Sequence, residues 1–175
     1  PGFTISTRIT SRILATKEFP IDFIEGLKRY VKRIERQTGY KFGSHRNPLI
    51  LSIRSGAIYS MPGLLKTVTN VGLNDETVEA LAQLNSDEHF AYGSYIRFIL
   101  DYAQEVFGIE SSLLEGIIKK ELNKKDSATI EEASIDTLKA LIHALKREVK
   151  GIENREIPDD PWEQLLNSIM ALVEY

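Results

Sequence analysis

The stretch Pro48-Leu49-Ile50-Leu51-Ser52-Ile53-Arg54-Ser55-Gly56-Ala57-Ile58-Tyr59-Ser60-Met61-Pro62-Gly63-Leu64-Leu65-Lys66-Thr67 decides how this chain is read. After Pro48, the short and nearly continuous apolar run Leu49 to Ile53 predicts a buried strand. Arg54 follows at the strand's end, where its guanidinium points outward. A long loop is expected next, broken by Gly56, Pro62, Gly63 and Gly72. Gly56 and Gly63 let backbone N–H groups come close to a ligand, and Ser55, Ser60 and Thr67 add hydroxyls. An anion such as a triphosphate fits such a cradle, with Arg54 giving a charge-assisted contact and Lys66 further positive charge. The same residue types also build ordinary turns, so both readings stand at this point.

Working outward toward the start, Phe3-Thr4-Ile5-Ser6-Thr7 reads as a strand of aromatic and β-branched residues. Ile24, Leu27, Val31 and Ile34 form an apolar stripe and predict a helix from Ile21 to Gln37, between Pro20 and Gly39. Its other face carries Lys28, Arg29, Lys32, Arg33 and Arg36, either a solvated helix face or a docking patch for something acidic.

Beyond the loop the pattern is helical. Asn74-Asp75 caps a helix bearing Val78, Leu81 and Leu84. Phe90 to Phe107 is apolar nearly all round, which predicts a central buried helix ending at Gly108. Ser112 with Glu115 reads as a capping box. Leu138, Leu141, Leu145 and Val149 mark a helix stopped at Gly151. Asp160, Pro161 and Glu163 start the last one. Asn123 to Ala133 reads as a polar linker. This makes five or six helices and two or three strands. Strands so far apart need partner strands, which suggests a piece of something larger.

The totals are ordinary for a globular domain: 175 residues, 42% apolar, 27% charged. A net charge of −3 argues against a general nucleic-acid binder. With no cysteine, disulfides and thiolate metal sites are excluded, and a cytoplasmic location fits. No apolar run approaches the roughly 20 residues of a membrane helix. The chain opens on Pro1-Gly2-Phe3 without Met, and this too is read as a cut from a longer protein.

Several motifs resemble those of one family. Pro1-Gly2-Phe3-Thr4-Ile5-Ser6-Thr7 is similar to the PGFT segment of pyruvate phosphate dikinases, and Thr38-Gly39 with Lys41-Phe42-Gly43 to the family's TGK-FG. Asn47-Pro48-Leu49 with Ser52-Ile53-Arg54-Ser55-Gly56-Ala57 resembles NPLLVSVRSGA. Ser60-Met61-Pro62-Gly63 matches SMPG, and Val71-Gly72-Leu73-Asn74-Asp75 matches LGLND. Phe90-Ala91-Tyr92, Ser94-Tyr95 and Arg97-Phe98-Ile99 resemble FAYDSYRRFI, and Pro161 with Gln164-Leu165 resembles P-x-x-QL. The resemblance spans essentially the whole chain, and the run from Arg54 to Gly63 is its most specific part.

The resemblance implies an α+β, helix-dominated fold forming part of an ATP-grasp-type nucleotide-binding domain. Residues 1–75 would be its α+β part with the phosphate-side loop, and 76–175 a helical subdomain. It implies ATP and Mg²⁺ as cofactors and phosphorylation of a histidine on a separate swivelling domain. A third domain would then make phosphoenolpyruvate from pyruvate, in a homo-oligomeric parent. By the same resemblance, Arg54 contacts ATP phosphates, and Ser55, Gly56, Ser60, Met61, Pro62 and Gly63 line the phosphate side. Lys66, Arg97 and Lys125 are phosphate-side or interdomain candidates. No metal ligand and no catalytic residue is expected within the chain. The family's phosphate-binding lysine would precede Pro1 and its acidic metal ligands would follow the last helix, so the chain alone is expected to be inactive.

Departures are Lys66 for the family's Asp, the bulkier Ile58-Tyr59, Gly93 for Asp, and Ile96 for Arg. His45, His89 and His143 lack ligand spacing. The acid pairs Asp87-Glu88, Glu131-Glu132 and Asp159-Asp160 suit helix starts and turns. Arg97 and Asp101 suit an intrahelical ion pair. Two rival readings remain: a phosphoenolpyruvate synthase-like dikinase, and a non-catalytic helical interaction module.

Overall fold

A computed structural model describes residues 1–56, 65–125 and 127–174. In chain order the elements are α1 (Thr7–Thr16), α2 (Ile21–Thr38), β1 (Lys41–Phe42), β2 (Pro48–Leu49), β3 (Leu51–Arg54), β4 (Thr67–Val71), α3 (Asp75–Asn85), α4 (Glu88–Glu105), α5 (Ser111–Asn123), α6 (Ile135–Glu153) and α7 (Pro161–Val173). Helices dominate, and the strands form two small two-stranded sheets, β1 parallel to β2 and β3 antiparallel to β4. This is a helix-rich α+β architecture.

The centre is α4. Tyr92, Tyr95, Ile96, Phe98, Ile99 and Tyr102 are all buried on it, and it packs against α3, α6, α7 and β4. One apolar cluster runs from Ile13 on α1 to Leu172 on α7. The helices with strong local signals lie where periodicity and caps place them. Gly39 closes α2 in the left-handed region at φ 78°, and Asn74 caps α3 through the N–H groups of Glu76 and Thr77. Asp160 caps α7 through Trp162 N–H, with Pro161 in the first turn.

Several expectations are corrected. The run Phe3 to Thr7 is not a strand, because α1 begins at Thr7 and the Ser6 carbonyl ahead of it accepts from the N–H groups of Ile9 and Thr10. Ile9 and Ile13, one turn apart, carried the helical signal, and among the described residues no strand pairs with Phe3. Its ring instead stacks on Tyr30 at 5.1 Å. The expected buried strand from Leu49 to Ile53 is split: Pro48 and Leu49 pair with β1, and β3 then turns to β4 with alternating exposure. With one partner strand and one covered face, β3 does not bury both of its sides. The expected long loop from Gly56 to Gly72 contains β4. Ser112 does not cap α5, which starts at Ser111 without a side-chain cap. Gly151 does not stop α6. The helix runs to Glu153 and ends at Asn154, φ 53°, because buried packing upstream outweighs the ~1 kcal/mol cost of an internal glycine.

Gln164 joins the two ends of the fold. Its side chain is fully buried. Its amide oxygen accepts from Gly72 N–H at 2.9 Å, and its amide NH₂ donates to Leu73 O at 2.9 Å and Pro158 O at 2.7 Å. Both donors are used, and flipping the amide would set NH₂ against an N–H. Gly72 itself is closely enclosed. At φ 110°, a Cβ there would meet Leu49 O and the Phe42 ring at 3.0 Å. Asn74 Nδ2 donates to Asp159 O at 2.8 Å, and Thr77 Oγ1 to Gly72 O at 2.9 Å, so the turn between β4 and α3 is held from both sides.

A second polar clasp ties α3, α4 and α6 together. Tyr95 Oη donates to Asp75 at 2.9 Å, and Lys146 Nζ reaches Asp75 at 3.0 Å and Asp159 at 3.4 Å. Burial pushes the Asp75 carboxyl up, but hydrogen bonds from Lys146 and Tyr95 outweigh it and hold the group below its ordinary value. Burial, and then the Asp75 charge, pushes the Tyr95 phenol far above its own.

Two predictions follow from these contacts. Gln164→Leu leaves two buried backbone groups and one partly buried carbonyl without partners, and a loss of about 3 kcal/mol is expected from urea denaturation. A Gln164→Leu chain as stable as the parent would remove the amide from its structural role. Because Asp75 is held below its unfolded value, its contribution is present above the ordinary carboxylate pKa and is lost as pH falls through the lowered folded one. Unfolding midpoints measured from pH 7 down to about pH 3 should therefore fall less steeply in Asp75→Asn than in the parent chain.

Candidate functional site

The candidate site lies at the end of the β3–β4 ribbon. Leu51 pairs with Val71, Ile53 with Val68 and Arg54 with Thr67, with an irregularity between Leu51 and Ile53. The opposite strand accommodates it at Asn70, φ 58°, whose side chain donates to Ser94 O at 3.1 Å. Asn tolerates this left-handed conformation better than most residues. Alternation along the pleat turns Val68 into the core and leaves Arg54 exposed. One step beyond the ladder, Ser55 N–H donates to Lys66 O at 3.0 Å, and Ser55 Oγ donates to the same oxygen at 3.2 Å. The two ends of the intervening segment are pinned together there. Ser60, Met61, Pro62 and Gly63, and the departures Ile58 and Tyr59, lie outside the described residues.

Arg54 therefore stands at the ribbon's tip, solvent-facing and without an ion-pair partner among the described residues. Among the described residues, no atom lies within 4 Å of where a Cβ on Gly56 would stand.

Under β4 runs a row of charged side chains on α4, one turn apart. Asp101 accepts from Thr69 N–H at 3.0 Å, takes a second, very short bond from Thr69 Oγ1, and lies 3.3 Å from Arg97 Nε. One turn on, Glu105 lies 3.4 Å from Lys66 Nζ. Asp101 thus fixes the middle of β4 to α4, and Glu105 fixes its start. Lys66 faces this helix and a carboxylate, while Arg54 faces solvent. Lys125 follows the end of α5, whose main neighbour is α6, and it is exposed. The structure thus groups Arg54, Ser55, Gly56 and Lys66, places Arg97 along the adjoining helix, and leaves Lys125 on another element.

Thr69, Glu105 and Gln164 are the residues whose roles the sequence reading missed. For Thr69 a signal existed: Thr67-Val68-Thr69 alternates β-branched residues in the manner of a half-buried strand. Glu105 and Gln164 act through contacts that no local pattern reveals. The histidines stay apart. His45 Nδ1 pairs with Glu76 at 2.6 Å, and His89 and His143 are exposed on α4 and α6. Among the described residues no group of three His, Cys, Asp or Glu side chains is arranged to hold a metal ion. No described helix is long and apolar enough to cross a membrane.

Thr69→Val removes the hydroxyl donor to Asp101 while keeping a β-branched shape. A loss of about 1–2 kcal/mol is expected, and Asp101→Asn on the same background should cost less than it does alone. Strictly additive losses in that double-mutant cycle would contradict the Thr69–Asp101 contact.

No family model matches the chain. Curated relatives do, along nearly all of it. A pyruvate, phosphate dikinase of Rickettsia bellii is 37% identical over 174 residues, one of Entamoeba histolytica 32% over 172, and pyruvate, phosphate dikinase 2 of Oryza sativa subsp. japonica 37% over 172. Each alignment takes in 98% of this chain and 19–20% of the relative, so the chain spans about a fifth of the length of the proteins it matches. Over 98% of its length, this chain is homologous to one segment of the pyruvate, phosphate dikinases.

Proposed function

We propose that this chain supplies the phosphate-side wall of the ATP site in a pyruvate, phosphate dikinase, within one larger ATP-grasp-type nucleotide-binding domain. Residues 1–75 carry that wall, and residues 76–175 form the helical part that backs it. The parent protein, on this reading, is a cytoplasmic phosphotransferase, with ATP and Mg²⁺ serving to phosphorylate a histidine on another of its domains. That phosphoryl group then passes to pyruvate to give phosphoenolpyruvate.

The observation that carries the reading is Arg54, an exposed guanidinium at a strand end whose position is set by the pairing with Thr67 and the Ser55–Lys66 bonds. A planar guanidinium suits two phosphate oxygens at once, and the rigid ribbon fixes its base before a ligand arrives. Ser55 and Gly56 lie beside it with a hydroxyl and a glycine backbone. The stretch between them and Lys66 resembles the family's SMPG segment, assigned here to backbone donors over the phosphates. Transfer itself requires metal and a nucleophile in addition to positioning, so the chain alone is expected to bind without turning over.

Calorimetric titration with ATP and Mg²⁺ tests this. Binding by the parent chain should weaken at least about ten-fold in Arg54→Ala, the scale of a lost charge-assisted contact. Equal binding by both would move the phosphates away from Arg54, and no binding by either would end the claim of a preformed cradle in this chain.

A further inference from the structure

The outer face of α2 carries Lys28, Arg29, Lys32, Arg33 and Arg36, all exposed. At about 100° per residue these five fall within an arc of roughly 140°, opposite the buried Phe23, Leu27, Val31 and Ile34. Amphipathicity accounts for a polar face there, but it does not account for a face of one sign. An exposed helix ordinarily intersperses carboxylates at one-turn spacing, and the carboxylates of α2 are used elsewhere or stand apart. Asp22 is held by Arg12 at 3.1 Å. Glu35 turns inward and accepts from Phe42 N–H at 2.9 Å. Glu25 remains at the helix's first turns and pairs with none of the five. Among the described residues none of the five cations is in an ion pair.

Lys28 and Lys32, Arg29 and Arg33, and Lys32 and Arg36 are like charges one turn apart, a spacing that works against the helix. The helix dipole favours Arg36 in the last turn, but it gives nothing to Lys28 and Arg29 in the first half. The imbalance extends to the region. Residues 1–56 hold 11 Lys and Arg against 4 Asp and Glu, while residues 57–175 hold 11 against 21. Positive charge is thus concentrated on the first part of an otherwise acidic chain.

We propose that the outer face of α2 is a docking surface for a compact acidic protein surface, one that presents carboxylates at about the spacing of a helical turn. The partner's carboxylates supply the counter-charge that Asp22 and Glu35 do not, and the three guanidinium groups take them in paired hydrogen bonds. Size and sign both disfavour a nucleic acid. The row from Lys28 to Arg36 rises only about 12 Å, fewer contacts than the roughly 6–10 phosphates a duplex binder neutralises. A long polyanion would also sweep across the acidic remainder of the chain. Complementary charge over so small an area steers encounter and orientation. This proposal rests on α2 alone and is independent of the ATP reading.

The test uses the 175-residue chain and a labelled helical peptide with glutamates repeated at one-turn spacing, titrated at low and near-physiological salt. The triple variant Lys28→Gln, Arg29→Gln, Arg33→Gln should bind at least about ten-fold more weakly. A control triple on α5 and α6, Lys119→Gln, Lys120→Gln, Arg147→Gln, removes the same charge and should stay within about two-fold of the parent, as remote charges are screened. Circular dichroism should show both variants folded, and relief of like-charge crowding predicts that the α2 triple melts no lower than the parent. Equal losses in the two triples would reduce the effect to bulk charge and overturn the proposal. It would be overturned too by absent peptide binding at low salt, by tighter binding of a short DNA duplex, or by α2-dependent self-association without peptide.

Discussion

The amide of Gln164 is the constraint on which the rest of the arrangement depends. It meets the N–H of Gly72, the carbonyl of Leu73 and the carbonyl of Pro158 at the point where the ribbon turns into the helical part. The Gly72 and Leu73 groups are turned away from solvent, and a turn so enclosed survives only if its polar atoms are satisfied internally. Gly72 is part of the same constraint, because Leu49 O and the Phe42 ring stand where a side chain would be. Once this turn is set, the direction in which β4 leaves it is set too, and with it the tip of the ribbon bearing Arg54.

Between that turn and the tip, α4 acts as a rail. Asp101 holds β4 at Thr69 and Glu105 holds it at Lys66, so the strand is fastened to a buried helix at two points along its length. The same fastening sorts the charges. Lys66 meets the carboxylate of Glu105, while Arg54 at the tip of the ribbon faces solvent.

Much of this was legible from residues alone, wherever the signal was local. The stripe of α2, the apolar girth of α4 and the Asp160–Pro161 start of α7 each report on a few neighbouring residues, and each helix lies where those residues place it. Where two local signals competed, the weaker-looking one prevailed. Phe3 to Thr7 favours strand by propensity, yet Ile9 and Ile13, one turn apart, make the segment lead into a helix. Glycines on either side of β4 obscured the alternation of Thr67, Val68 and Thr69. At the site, the strand-end arginine was readable from its neighbours. The partners that orient its surroundings were not: Thr69 meets Asp101 across 32 positions and Gly72 meets Gln164 across 92, and no pattern within a short window encodes such pairs.

That last separation has a consequence for how the chain comes into being. A ribosome adds about 5–20 residues per second, so the Gly72 turn is made roughly 5 to 20 s before the glutamine that satisfies it. During that interval the ribbon can pair with itself but cannot close its turn, and its apolar face stays open to other nascent chains. The synthesis of α7, and not the formation of the ribbon, is then the moment at which the arginine-bearing tip acquires its final geometry.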